Sequence, residues 1–283
     1  MIKLNKGVWI YIFTLILLSW LLQGFVIAKG GEEYTLFKPL IVVMMFFPGV
    51  GAIIYLFYTR SSLSYFSWKI GKAGYLLLAL ILPTAITLFT VKVIEILDFG
   101  VNTFFVFEND GVRVLNDLLL IDTGKQGYTL FLIRLYLSGA LLSLMVGVLA
   151  LGEELGWRGF LQKKLLEKNS LLKSIVFLGL LWALWHFPLV LNGFNFPQYP
   201  VLGAFLFFPV STVCISVLMA WLTLNSGSIW PAVLVHGGIN SIMSVLHSMD
   251  FGETRLEANI TMLSIWGLVA LITYFLISRN RVE

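Results

Sequence analysis

The sequence predicts an all-α integral membrane protein, a bundle of about eight transmembrane helices, and three observations carry that reading. First, 59% of its 283 residues are hydrophobic and only 12% are charged, against about 45–50% and about 25% in ordinary soluble domains. A soluble fold of this length has no way to hide that much apolar surface, so lipid is the solvent that accommodates it. Second, apolar stretches approach the roughly 20 residues that a helix needs to cross the hydrocarbon core. They are 7–28, 37–58, 74–97, 128–151, 174–192, 201–224, 229–248 and 260–278. Third, the period-2 alternation of a membrane β-barrel is absent, and helices are the remaining way to satisfy backbone groups in lipid.

Each segment has its own justification. Lys3 and Lys6 precede the first, as in a signal peptide. That run is too long for a signal and ends in Ala28-Lys29-Gly30-Gly31 rather than a small-x-small site, so an uncleaved helix is expected. Pro48, Pro83 and Pro209 fall inside the second, third and sixth segments. Membrane helices tolerate them where neighbours re-satisfy the freed carbonyls. The connection 98–127 is long and polar but contains the apolar runs 104–107 and 114–121. A partly ordered loop on the outer membrane surface is expected there, with a lid or a partner contact as alternatives. No internal repeat or second domain is visible, so 1–283 reads as a single polytopic membrane domain.

Charge orients the bundle. The formal net charge is +4, and Lys and Arg gather in alternate connections. These hold Lys3 and Lys6, then Arg60, Lys69 and Lys72, then Arg158, Lys163, Lys164, Lys168 and Lys173, then Arg279 and Arg281. The other connections carry Glu32, Glu33, Asp98, Glu108, Asp110, Asp117, Asp122, Asp250, Glu253 and Glu257. The positive-inside rule then places both termini in the cytoplasm of a multi-pass protein of the cell membrane. Nothing forms a nucleic-acid-binding face, so the bilayer is the partner that the charge implies. The single cysteine, Cys214, excludes an internal disulfide framework or a zinc ribbon. Lys92 and Arg134 read as snorkelling to headgroups, and His247 as interfacial.

Ionisable groups at membrane depth are costly and mark candidate sites. Three sets stand out: Glu153-Glu154 with Arg158 where the fourth helix reaches the cytoplasmic side, Trp182 with His186 in the fifth, and His236 with Asn240 in the seventh. Residues four apart share a helix face, so Glu154 pairs with Arg158, and His236 lines up with Asn240. Glu153, His186, His236 and Asn240 are able to converge on one polar cavity, and Gly237 and Gly238 let their helix approach a neighbour closely. Such a cavity supports hydrolysis. A glutamate in apolar surroundings suits a general base acting on water, a histidine can hold that water, and a second histidine with a carboxamide can serve an oxyanion. Two histidines and a carboxylate also suit zinc, with Glu153, His186 and His236 as its ligands, although no compact His-Glu-x-x-His spacing is present. No cofactor is required by the sequence, and a divalent metal stays open.

At these residues the chain resembles the CAAX-protease and bacteriocin-processing (CPBP, or abortive-infection) family of intramembrane proteases. The family's three motifs read here Glu153-Glu154-x-x-x-Arg158, Trp182-x-x-x-His186 and His236-x-x-x-Asn240, with Trp182 where Phe is usual. The resemblance implies catalytic core helices over 128–245 and an intramembrane endopeptidase, here with its site opening toward the cytoplasm. By the same resemblance Glu153 activates water with His186, His236 and Asn240 stabilise the oxyanion, and Glu154, Arg158 and Trp182 brace the site. It implies membrane-associated protein or peptide substrates, either prenylated or bacteriocin-like. The rival reading is a non-enzymatic membrane protein, such as a proton-coupled transporter or a binding-type bacteriocin immunity factor.

Overall fold

A computed structural model describes residues 2–243, 245 and 248–279. Among these, seven helical segments are long and apolar enough to cross a membrane. They are α1 (Lys6–Ala28), the pair α2 (Phe37–Met45) and α3 (Phe47–Tyr58), and α4 (Ala73–Ile96). Then follow α5 (Tyr128–Glu154), which continues through a π-helical turn (Leu155–Leu161) into α6 (Gln162–Leu166), and α7 (Leu171–Leu191). A sixth runs from α8 (Pro200–Leu202) through a second π turn (Gly203–Phe207) into α9 (Phe208–Ser226). The seventh expected helix is shorter among the described residues: α10 (Trp230–Ile242) has 13 residues, roughly 20 Å against a hydrocarbon core of roughly 30 Å. The last, α11, is Arg255–Arg279. Ser244, Leu246, His247 and Arg281 lie outside the described residues, and with them the interfacial reading of His247.

Packing explains the short α10. Every residue from Pro231 to Gly238 is buried, with α4, α5 and α9 packed around it, so it meets protein rather than lipid. The two glycines make this enclosure feasible. A Cβ on Gly237 would lie 2.5 Å from the Ser143 carbonyl oxygen, and one on Gly238 would lie 2.7 Å from Pro83 Cγ. The lipid-facing sides are plain: Phe13, Leu17 and Leu21 on α1 and Leu271, Ile272 and Phe275 on α11 are exposed. These are side chains that need no protein partner in a bilayer.

The connection 98–127 is more ordered than its sequence predicts. It holds β1 (Val101–Asn102) and a three-stranded antiparallel sheet of β2 (Phe105–Glu108), β3 (Gly111–Val114) and β4 (Gly124–Gln126). Glu108 pairs with Gly111 across the two-residue turn Asn109-Asp110, a short hairpin that favours such residues. Phe105, Val112 and Val114 are buried, and the Phe105 ring lies 5.0 Å from that of Phe131 on α5. Apolar side chains thus anchor the sheet to the end of the bundle. Lys92 and Arg134 do not simply snorkel. Lys92 pairs with Glu95 at 2.7 Å and lies over the Phe107 ring at 4.1 Å, and Arg134 meets Asp122 at 3.4 Å.

The two ends of the bundle are distinct. Lys3 and Asn169 exchange hydrogen bonds of 2.9 Å, Tyr65 donates to Glu167, and the Trp230 indole donates to Trp68. Three of the basic stretches therefore share one face. At the other face β1 pairs with β5 (Met249–Asp250), joining the sheet connection to the start of α11.

Candidate active site

Glu153 and Glu154 end α5 but do not lie at a membrane boundary as the sequence reading has it. The helix runs on to Leu166, which places Glu153 roughly 20 Å inside that end. The reason is the π turn, all seven residues of which are buried. It lets a helix that contains two acids and an arginine continue instead of stopping. Close packing fixes it there: a Cβ on Gly156 would lie 2.3 Å from Pro48 Cβ, and one on Gly152 would lie 2.8 Å from the Met45 carbonyl oxygen. The break between α2 and α3 nests on this turn. Glu153 therefore matches the depth of His186, fifteen residues after Leu171 at the start of α7. The lysine-rich stretch spans α6 and the start of α7.

The two glutamates have different partners. Glu154 is fully buried; its Oε1 accepts from Arg158 Nη1 at 2.8 Å and from His236 Nδ1 at 2.8 Å. Arg158 Nη2 donates to Ser216 Oγ at 3.0 Å, and its guanidinium lies 4.7 Å from the Trp182 ring. Glu154 thus braces His236 as well as Arg158, a link between α5 and α10 that helix spacing does not reveal. Glu153 Oε2 accepts from the indoles of Trp182 at 3.0 Å and Trp157 at 3.3 Å. Its Oε1 faces His236 Nε2 at 4.0 Å. Trp182 therefore does more than pack, since phenylalanine at that position has no N–H to donate. Trp157 and Ser216 were not singled out from sequence. Trp157 is legible after the fact, four residues from Glu153 on one helical face, whereas Ser216 comes from α9 and carries no local signal.

Hydrogen bonding assigns the imidazole protons. His186 Nδ1 lies 3.1 Å from the Trp182 carbonyl oxygen, which only accepts, so Nδ1 carries the hydrogen and Nε2 keeps a lone pair. His236 Nδ1 likewise donates to the Glu154 carboxylate. The His186 ring is held edge-on by Trp185 at 4.5 Å and Phe208 at 5.1 Å.

Glu153, Trp182, His186, His236 and Asn240 all line one cavity of about 320 Å³. Its remaining walls are largely apolar and come from α2 (Ile41, Met44, Met45), the 194–196 turn, the start of α9, and α11 (Asn259, Met262, Trp266). A second recess shares Phe194, Asn195 and Arg255 with it and is rimmed by Glu32, Glu33 and Asn192. The cavity thus leads to the face that carries the sheet, while the buried π turn lies on the side of the lysine-rich stretches.

Glu153, His186 and His236 are the residues that would hold a metal. Among the described residues no three of His, Cys, Asp and Glu are gathered to hold one. The indoles engage Glu153 Oε2 and Glu154 engages His236 Nδ1, which leaves Glu153 Oε1 and His236 Nε2 facing each other.

Residues 134–242 match a family described as type II CAAX prenyl endopeptidase Rce1-like. The motif-bearing stretch is thus similar to that family. The chain is also 36% identical over 93 residues to the CAAX prenyl protease 2 of Methanococcus maripaludis, a match covering 31% of this chain and 34% of that protein. The chain thus spans about a third of the length of the curated relative that it matches. Around the core, the bundle is that of a multi-pass membrane protein.

Proposed function

We propose that this protein is an intramembrane endopeptidase that hydrolyses a peptide bond of a membrane-associated protein or peptide with a water activated by Glu153. One observation carries the proposal: Glu153 Oε1 and His236 Nε2 face each other at 4.0 Å on the wall of a largely apolar cavity that also holds His186 and Asn240. A separation beyond direct hydrogen bonding, with polar atoms on both sides, suits a single bridging water. Glu153 takes a proton from that water while the lone pair of His186 Nε2 accepts its second hydrogen and orients it. The water oxygen bonds to the carbonyl carbon, and the oxyanion receives N–H donors from Asn240 and from His236 in its doubly protonated form. The proton on Glu153 passes to the leaving nitrogen as the C–N bond breaks, giving a carboxylic acid and an amine. Glu154 and Arg158 hold His236 in place, and Trp182 and Trp157 hold Glu153.

The apolar walls suit a hydrophobic peptide segment, and the relative's printed name directs the first trial to prenylated C-terminal peptides. The lysine-rich face is assigned to the cytoplasm by the positive-inside rule, which puts the cavity mouth on the other side. The test is cleavage of prenylated and unprenylated membrane peptides by the purified protein in lipid nanodiscs, followed by mass spectrometry. Wild type cleaves at a defined bond, and Glu153→Gln and His236→Ala lose at least about a hundredfold in rate. A folded wild type that leaves the whole panel intact removes the proposal.

A further inference from the structure

Helix α7 contains a proline, Pro188, two residues beyond His186. Proline has no N–H, so the carbonyl of Leu184, four residues earlier, loses its helical donor. Buried backbone carbonyls demand a partner in lipid. The structure supplies one from the other end of the sequence: the Trp20 indole on α1 donates to the Leu184 oxygen at 2.8 Å. One turn further along α1, the fully buried Gln23 addresses the same stretch twice. Its Nε2 donates to the Trp185 carbonyl at 2.6 Å, and its Oε1 accepts from the Leu189 N–H at 3.3 Å. Gln23 Nε2 also contacts Met44 Sδ at 3.3 Å, so the whole carboxamide is engaged. Ser19 accepts from the Trp185 indole, completing one face of α1 turned to this turn of α7.

A buried glutamine that cross-links two membrane helices is commonplace. Here the partners are not arbitrary. They are the carbonyls of the two residues just before His186, one of them orphaned by Pro188, together with the first amide beyond the proline. We propose that Gln23 and Trp20 are positioning residues for His186, fixing the proline-interrupted turn so that the imidazole keeps its Nδ1–H on the Trp182 carbonyl and its Nε2 lone pair for the attacking water. The proposal rests on the catalytic reading above, and α1 lies outside the residues 134–242 that match the family.

The test pairs kinetics with a readout that needs no turnover. Gln23→Leu removes both bonds; Gln23→Glu keeps the acceptor for Leu189 and removes the donor; Trp20→Phe removes the donor to Leu184. All three lower kcat about ten- to a hundredfold with KM within about twofold of wild type, the signature of misplacement rather than lost binding. Adding Pro188→Ala to Trp20→Phe returns a helical donor to Leu184 and restores kcat to within about threefold of wild type, while leaving Gln23→Leu impaired. In parallel, ¹⁵N NMR of histidine-labelled protein, with the His186 signals assigned through His186→Gln, shows one neutral tautomer in wild type and a mixture in Gln23→Leu. A raised KM with unchanged kcat, no rescue by Pro188→Ala, or an unaltered His186 tautomer in folded Gln23→Leu overturns the proposal. If wild type cleaves nothing yet the tautomer responds, the catalytic reading fails and the positioning of His186 stands.

Discussion

Replacing Arg158 with methionine isolates what the buried ion pair contributes. Arg158 Nη1 reaches the two Glu154 oxygens at 2.8 and 3.1 Å, Nη2 reaches Ser216 at 3.0 Å, and neither charged side chain has any exposure. Removing one partner of such a pair leaves an uncompensated buried charge and costs about 3–5 kcal/mol. That is a large share of the roughly 5–15 kcal/mol by which folded proteins are stable. Exchanging both partners for uncharged groups of similar size is often near neutral. Glu154→Gln keeps an acceptor oxygen for His236 Nδ1–H, so the double variant Glu154→Gln/Arg158→Met recovers at least about 2 kcal/mol of the single variant's loss. Reversible unfolding in mixed micelles, followed by circular dichroism, measures all four corners of the cycle. Losses that simply add, or a single variant as stable as wild type, would refute the mutual stabilisation of Glu154 and Arg158 as a buried pair.

Further expectations follow from other parts of the molecule. Gly237→Ala drives a methyl against the Ser143 and Gly147 backbone and costs about 1–3 kcal/mol in the same unfolding assay; a wild-type stability would refute the close approach of α10 to α5. Trp182→Phe keeps the ring but withdraws the 3.0 Å donor from Glu153, lowering cleavage by about tenfold without a matching change in KM. In the sheet, the Arg113 guanidinium holds Glu108 below the ordinary carboxylate range, Lys125 does the same for Asp110, and Asp110 in turn pushes Lys125 up. A lowered acid contributes fully above that range and loses its contribution only as pH falls below it. Exchange protection over 105–126, corrected for intrinsic rates, therefore persists down to the ordinary carboxylate range, declines below it, and weakens with salt; loss near neutral pH would contradict the pairing. Finally, cysteines introduced at exposed Ser61 and exposed Thr123 in a Cys214→Ala background are labelled from opposite sides of sealed vesicles. Labelling of both from one side would break the topology.

Much of this architecture was readable from residues. The apolar stretches, the basic and acidic alternation of their connections, and the convergence of Glu153, His186, His236 and Asn240 all rest on local pattern, because lipid imposes length and polarity rules on each helix separately. What escaped was set by tertiary contact. The length of the fourth helix escaped because Glu153, Glu154 and Arg158 look like a membrane boundary until Ser216, His236 and the indoles of Trp157 and Trp182 are known to receive them. Similarly, α10 looked like a full span because burial among α4, α5 and α9 makes it as apolar as a lipid-facing helix. The sheet in 98–127 was missed because its strands are four residues or fewer, too short for alternation to register.

The chamber draws its walls from two parts of the chain. Glu153, His186, His236 and Asn240 come from the stretch that matches the family model, whereas Ile41, Met44 and Met45 on one flank and Arg255, Asn259 and Met262 on the other come from helices outside it. Sequence drift in those flanks can reshape what fits inside while leaving Glu153, His186 and His236 undisturbed. A graft exchanging only α2 and α11 between relatives would move substrate preference as a separable trait.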